Sequence, residues 1–175
     1  RKYLAEVIGD KEISDTKIPL KIVACDLVTG EEVIIEEGSI VDAIMASISV
    51  PGIFPPIKIG ERILIDGGVV NPTPVDVVKE MGADVVIGVD LVVRSRNRLS
   101  EIPNMVNTLL FSYDIIRKQA VEVKLKNLDG NTLLIKPEKR ELIDSFKFYS
   151  VGKFLEAGQK TMSDRISEFK EIINK

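Results

Sequence analysis

The stretch from Arg62 to Pro74 constrains the fold of this chain more tightly than any other. Arg62-Ile63-Leu64-Ile65 reads as an apolar, β-branched strand, Asp66-Gly67-Gly68 interrupts it, and Asn71-Pro72-Thr73-Pro74 opens a helix. Thr73 suits the N-cap, Pro74 the first helical position, and Asp76 lies in the first turn, so a helix is predicted from Pro74 to about Met81, stopped by Gly82. The nearly continuous apolar run Asp84 to Asp90 then reads as a strand covered on both faces. Strand, loop, helix and strand in that order predict a βαβ unit, with Asp66 delivered at the end of its first strand.

The flanking segments fit an α/β chain. Arg1 to Ile8 is helical in pattern, Pro19 to Leu27 and Glu32 to Glu36 form a hairpin about the turn Val28-Thr29-Gly30-Glu31, and Ser39 with Asp42 caps a helix to about Ser49. Pro51-Gly52-Ile53-Phe54-Pro55-Pro56 is too rich in proline for a helix or central strand and predicts a stiff extended loop. Gly60-Glu61 predicts a tight hairpin between Ile57-Lys58-Ile59 and the strand that ends at Asp66. Arg94, Arg96 and Arg98 lie in a polar break, and a long helix is predicted from about Ile102 to Lys126. Its apolar face would use Val106, Leu109, Leu110, Tyr113, Ile116 and Val123. Thr132 to Ile135 is a short strand, and Val151 to Ile173 reads as one closing amphipathic helix through Leu155, Met162, Ile166, Phe169 and Ile173.

Composition removes several function classes. With 175 residues, 45% of them hydrophobic, the chain can bury a core as one domain. A net charge of −3 with both signs interspersed gives no long-range attraction for nucleic acid. Cys25 is the single cysteine and sits in an apolar run, so no internal disulfide forms and a reducing compartment fits. No apolar stretch approaches the roughly 20 residues that span a bilayer, and no secretory leader is evident. The expectation is a cytoplasmic protein, able at most to sit peripherally on a membrane.

Chemistry concentrates at Asp66. The bland reading is a turn in which its carboxylate bonds its own loop. Against it stand Gly67 and Gly68, which permit positive φ and close approach of another segment, and Asn71, which can orient a carboxylate. The nearby wall from Pro51 through Phe54 adds rigidity around an acid at a strand end, as in α/β sites. The chain contains no histidine, so it cannot itself assemble a Ser-His-Asp triad; a carboxylate acting directly on a serine hydroxyl needs none. No Gly-x-Ser-x-Gly elbow occurs in these residues.

Three segments in order, Ala24-Cys25-Asp26-Leu27-Val28-Thr29-Gly30-Glu31, Ala46-Ser47-Ile48-Ser49-Val50-Pro51-Gly52-Ile53-Phe54-Pro55-Pro56 and Asp66-Gly67-Gly68 with Asn71-Pro72-Thr73-Pro74, resemble the patatin-like phospholipases. The likeness runs from about Pro19 to Asp90, and Phe154-Leu155-Glu156-Ala157-Gly158 looks like that family's final helix. The resemblance implies a three-layer α/β/α fold with a mostly parallel central sheet, incomplete at its N-terminus, residues 1–175 being the C-terminal part of one hydrolase domain. It further implies a serine acyl-ester hydrolase acting on lipids through a Ser-Asp dyad, with Asp66 as the catalytic aspartate and Gly67, Gly68, Asn71, Pro51 and Phe54 around it. The serine and the glycine-rich oxyanion loop would belong to a part upstream of Arg1, without which the lobe would be inactive, expose apolar edges and self-associate. No metal or organic cofactor is required.

Two other functions remain as rivals. One is a non-catalytic binding or regulatory α/β module, and the other a metal-dependent hydrolase in which Asp26, Asp66 and Asp90, all near strand ends, hold a divalent cation. Ser14-Asp15-Thr16-Lys17 matches a Ser-x-x-Lys pattern but is followed at once by Ile18-Pro19, and reads as a surface turn. The run Gly82 to Asp90 lacks the glycine fingerprint of a nucleotide site.

Overall fold

A computed structural model of the protein describes residues 1–92, 102–126, 128–137 and 151–174, which fall into two compact units, Arg1–Pro72 and Thr73–Lys175. The expected polar break at Arg94, Arg96 and Arg98 lies outside the described residues.

The first unit is a four-stranded antiparallel sheet in the order β2-β1-β4-β3, made of β1 (Ile22–Asp26), β2 (Glu32–Ile35), β3 (Ile57–Ile59) and β4 (Arg62–Asp66). Both predicted hairpins form. The Asp26 carboxylate shapes the first, its Oδ1 accepting from the N–H of Val28 at 2.9 Å and of Thr29 at 3.3 Å, while Gly30 takes φ 74°. Gly60 supplies φ 58° at the second. Helix α1 (Lys2–Ile8) precedes the sheet, and α2 (Ile40–Ser47) lies between β2 and β3. As expected, the Ser39 hydroxyl caps α2 by accepting from the N–H of Asp42 at 3.3 Å.

The core of this unit explains why α2 can lie so close to the sheet. Ala43 and Ala46 of α2 and Ala24 of β1 are all fully buried, and together with Leu64, Ile35, Ile40 and Ile13 they form one cluster. Small side chains at the closest approach leave the branched residues to fill the flanks. The register pairs Ala24 with Asp66 and Asp26 with Leu64, so Asp66 shares the α2 face of the sheet. Cys25 pairs with both Ile65 and Glu32, and these three point to the opposite face.

The second unit contains a parallel pair, β5 (Val86–Val89) and β6 (Thr132–Ile135), with α3 (Val75–Glu80), α4 (Met105–Lys124), α5 (Val151–Asp164) and α6 (Ile166–Ile173). Here the layers are α/β/α. Gly88 of β5 backs onto Val75 of α3, while Leu133 and Ile135 of β6 pack with Ile172, Phe169 and Met162 on the other side. Lys124 of α4 reaches Asp76 of α3 at 2.7 Å, and Lys79 of α3 reaches Asp129 at 2.8 Å.

An α/β chain is therefore what forms, with several corrections to the sequence reading. Among the described residues only β5 and β6 pair in parallel, and the larger sheet is wholly antiparallel. The strand ending at Asp66 and the strand Val86–Val89 lie in different sheets, so no βαβ unit joins them. Burial along β5 alternates: helices lie on both sides of the pair, but they leave Ile87 and Val89 exposed beside the buried Leu133 and Ile135 of β6. In α4 the buried positions are Leu110, Tyr113, Asp114 and Val121, whereas Val106, Leu109, Ile116 and Val123 are exposed. The stripe chosen from the sequence was rotated, since it passed over an aspartate that packs inward. The closing helix breaks at Arg165, whose Nη1 turns back to donate to the Leu134 carbonyl at 2.6 Å. Helix α3 starts one residue late: Pro74 is its N-cap, and the Thr73 hydroxyl is buried without capping it.

Candidate functional site

Asp66 closes β4 directly after two buried residues, Leu64 and Ile65. Its backbone N–H donates to the carbonyl of Ser49 at 3.0 Å, which ties the end of the strand to the end of α2. Ser49 itself is buried, and its hydroxyl donates to the Met45 carbonyl at 2.6 Å, so it is spoken for as a helix-end brace and not presented as a nucleophile. No residue pattern in the sequence marked Ser49 for this task; its carbonyl does the work.

Beyond Asp66 the chain makes a single 3-10 turn, Gly67–Val69, for which Asp66 is the N-cap. Oδ1 of Asp66 accepts from the Gly68 N–H at 2.7 Å, which fixes the plane of a half-buried carboxylate. Neither Gly67 nor Gly68 has positive φ, so the first of the two reasons given for them in the sequence reading does not apply. The second does. A Cβ at Gly67 would stand 2.3 Å from the Val23 carbonyl oxygen and 2.6 Å from its carbon, so the turn after Asp66 is pressed against the backbone of β1.

The turn is anchored again at its far end. The N–H of Asn71 donates to the Gly67 carbonyl at 2.8 Å, and its fully buried side chain donates from Nδ2 to Oε1 of Glu32 at 2.7 Å. The sequence reading set Asn71 beside Asp66 as a side chain able to orient a carboxylate; the carboxylate its amide grips is that of Glu32, at the start of β2. Glu32 was missed in the sequence because it lies 39 residues away and reads as an ordinary strand residue.

The proline-rich segment is a turn and not an extended loop. The Val50 carbonyl accepts from the N–H groups of both Ile53 and Phe54 at 3.0 Å, with Gly52 at φ 81°. Proline followed by a positive-φ glycine is the residue pair a type II turn requires. Pro51 and Phe54 thus stand on a rigid turn that starts one residue after Ser49, whose carbonyl holds Asp66; Phe54 is 42% exposed.

Two strand-end aspartates are occupied locally. Asp26 closes its own hairpin, and Asp90 accepts from the Val92 N–H at 3.0 Å. Among the described residues no group of three or more cysteine, aspartate and glutamate side chains is arranged to hold a metal ion. Burial, followed by the neighbouring Asp26 charge, pushes the Cys25 thiol above its ordinary value. No described helix is long and apolar enough to cross a membrane.

Residues 1–79, which contain this whole arrangement, match the family model described as patatin-like phospholipase. An uncharacterized NTE family protein of Mycobacterium tuberculosis is 31% identical to the chain over 78% of its length, and a second from the same organism is 36% identical over 49%. The mouse patatin-like phospholipase domain-containing protein 7 is 28% identical over 71% of the chain. The chain spans 27%, 24% and 9% of the lengths of these three relatives. Over residues 1–79, then, the chain is similar to the patatin-like phospholipase family.

Proposed function

We propose that this chain contributes the general base of a serine acyl-ester hydrolase acting on lipids, and that the base is Asp66. The observation that carries the proposal is the fixing of Asp66 on both sides. Its N–H is held by Ser49 and its Oδ1 by Gly68, at the end of a strand braced by α2 and inside the family-matched segment. A carboxylate held in one orientation loses little entropy on meeting a hydroxyl, which is what a short dyad needs in place of an imidazole relay.

The serine would come from outside these residues, which contain no Gly-x-Ser-x-Gly elbow, and the hydroxyl of Ser49, whose carbonyl holds Asp66, is committed to Met45. In the reaction, Asp66 takes the proton of that serine as its oxygen attacks the ester carbonyl. It then passes the proton to the departing alcohol, and in the second half it draws a proton from water as the acyl-serine is hydrolysed. A carboxylate is a weak base for this work, so the developing oxyanion must be stabilised by donors from elsewhere in the protein. Pro51 and Phe54, on their rigid turn, would form part of the wall facing the acyl group. The scheme calls for no metal.

The test is Asp66→Asn in the full-length protein that carries this chain, assayed on a chromogenic acyl ester and on phospholipid vesicles. Asparagine still accepts from the Gly68 N–H, so folding and the melting temperature should hold. Turnover should fall by about 10² to 10⁴. A variant that hydrolyses ester at the wild-type rate would remove Asp66 from the chemistry, and loss of activity with EDTA would favour a metal-dependent hydrolase.

A further inference from the structure

We infer that Glu32 is a positioning residue for Asp66, acting through Asn71. The inference rests on Asp66 being the catalytic base. The loop that follows Asp66 leaves β4, crosses the backbone of β1 at Gly67, and ends on β2, where the Asn71 amide meets the Glu32 carboxylate at 2.7 Å. It is a strap across three adjacent strands, bonded to Asp66 of β4 and Glu32 of β2 and pressed against the backbone of β1 between them.

The fastenings are coupled by short links. The Asn71 N–H bonds the Gly67 carbonyl, and Gly68, next along the chain, donates to Oδ1 of Asp66. A displacement of Asn71 therefore moves the peptide that orients the catalytic carboxylate. The bond to Glu32 is charge-assisted on the acceptor side and its donor is almost wholly buried, so it belongs to the stronger class of side-chain hydrogen bonds. Glu32 has no direct part in the reaction. By the strand register it lies on the face of the sheet opposite to Asp66, two strands away. Its effect on catalysis can only be geometric.

Polarity reversal tests this in the full-length protein, with kcat, KM and melting temperature measured for each variant. Asn71→Asp sets a second carboxylate against Glu32 and should lower kcat by about 10² with KM little changed, the scale that an ångström of misplacement produces. Glu32→Gln keeps an acceptor for Asn71 and should stay within a few-fold of wild type. Combining Glu32→Gln with Asn71→Asp exchanges donor and acceptor, since the introduced amide can donate to the introduced carboxylate, and should restore most of kcat. A purely structural role would lower the melting temperature and leave kcat alone.

Wild-type kcat in Asn71→Asp, or a double variant no better than that single one, overturns the inference. Should Asn71→Asp fail to fold, Glu32→Ala decides: a clear fall in kcat supports positioning, and an unchanged kcat overturns it. Asp66→Asn measured alongside separates the two failures. If that variant is inactive while all Glu32 and Asn71 variants turn over normally, only the positioning role falls; if it is active, the base assignment falls first.

Discussion

Gly67→Ala is the sharpest test of how the Asp66 loop is built. The added methyl would lie 2.3 Å from the Val23 carbonyl oxygen, 2.6 Å from the carbonyl carbon and 3.1 Å from the Ala24 nitrogen. All three are backbone atoms of β1, which is hydrogen-bonded to a strand on each side, so no side chain can swing away. The loop must retreat by the better part of an ångström. That strains the Gly68 bond to Asp66, the two bonds into the Gly67 carbonyl and the Asn71 bond to Glu32. Overpacking of about 1 to 3 kcal/mol, joined by about 1 kcal/mol for a hydrogen bond lost or stretched, gives a destabilisation of about 3 kcal/mol. For a chain of this length that is a fall of roughly 6 to 12 °C in melting temperature, followed by circular dichroism. Gly30→Ala is the control. Gly30 has φ 74° and open space around it, so it should cost only the backbone strain of about 1 to 2 kcal/mol. If Gly67→Ala melts no lower than Gly30→Ala, the tight crossing of β1 is wrong and with it the account of the first glycine.

Two more expectations concern parts away from that loop. Because burial and Asp26 raise the Cys25 thiol, the folded chain keeps a proton that the unfolded chain releases; the resulting stability is full below the ordinary thiol value of 9.0 and is lost as pH rises through the folded one. Denaturant midpoints between about pH 7 and 10 should decline less steeply in Cys25→Ala, and native Cys25 should resist alkylation at neutral pH. Arg165 donates to the Leu134 carbonyl and to both oxygens of Glu168, binding the α5–α6 break to β6. Arg165→Ala should cost about 1 kcal/mol, tempered by partial exposure, and Arg165→Lys should recover only part, since an ammonium cannot span both partners. Equal melting curves for all three proteins would dismiss the clamp.

Local chemistry was the legible part of this fold. Each hairpin, the Ser39 cap and the strand ending at Asp66 follow from residues within about ten positions of one another, where turn geometry and period leave few choices. Strand partnership did not follow. Arg62–Asp66, Val75–Glu80 and Val86–Val89 have the sequence signature of βαβ, yet the first strand goes to an antiparallel sheet, paired on one side with its hairpin partner β3 and on the other, through a long-range pairing, with β1. Helix faces failed for a similar reason. The stripe of α4 was drawn from apolar residues alone, and Asp114 with Arg117 beside it, paired at 3.9 Å, shows that a polar group can occupy the inward side when its partner comes with it.

At the site the same division separates identity from support. Asp66 could be singled out because the residues that reveal it are its immediate neighbours, and Gly67 because a glycine after a strand-end acid demands a reason. The reason itself was hidden. Positive φ and close approach predict the same letter in the sequence, and only the position of the Val23 carbonyl distinguishes them. Asn71 was visible as a side chain able to hold a carboxylate, but nothing local says which. Had it held Asp66 alone, that carboxylate would be tuned within its own loop. Its bond to Glu32 instead links the Asp66 loop to the β1–β2 hairpin, so a substitution that shifts the register of that hairpin, such as at Asp26, should reach the carboxylate. If Asp66 is the proposed base, its support is longer-ranged than its own motif, and substitutions outside the motif should lower kcat before they change which substrate is bound.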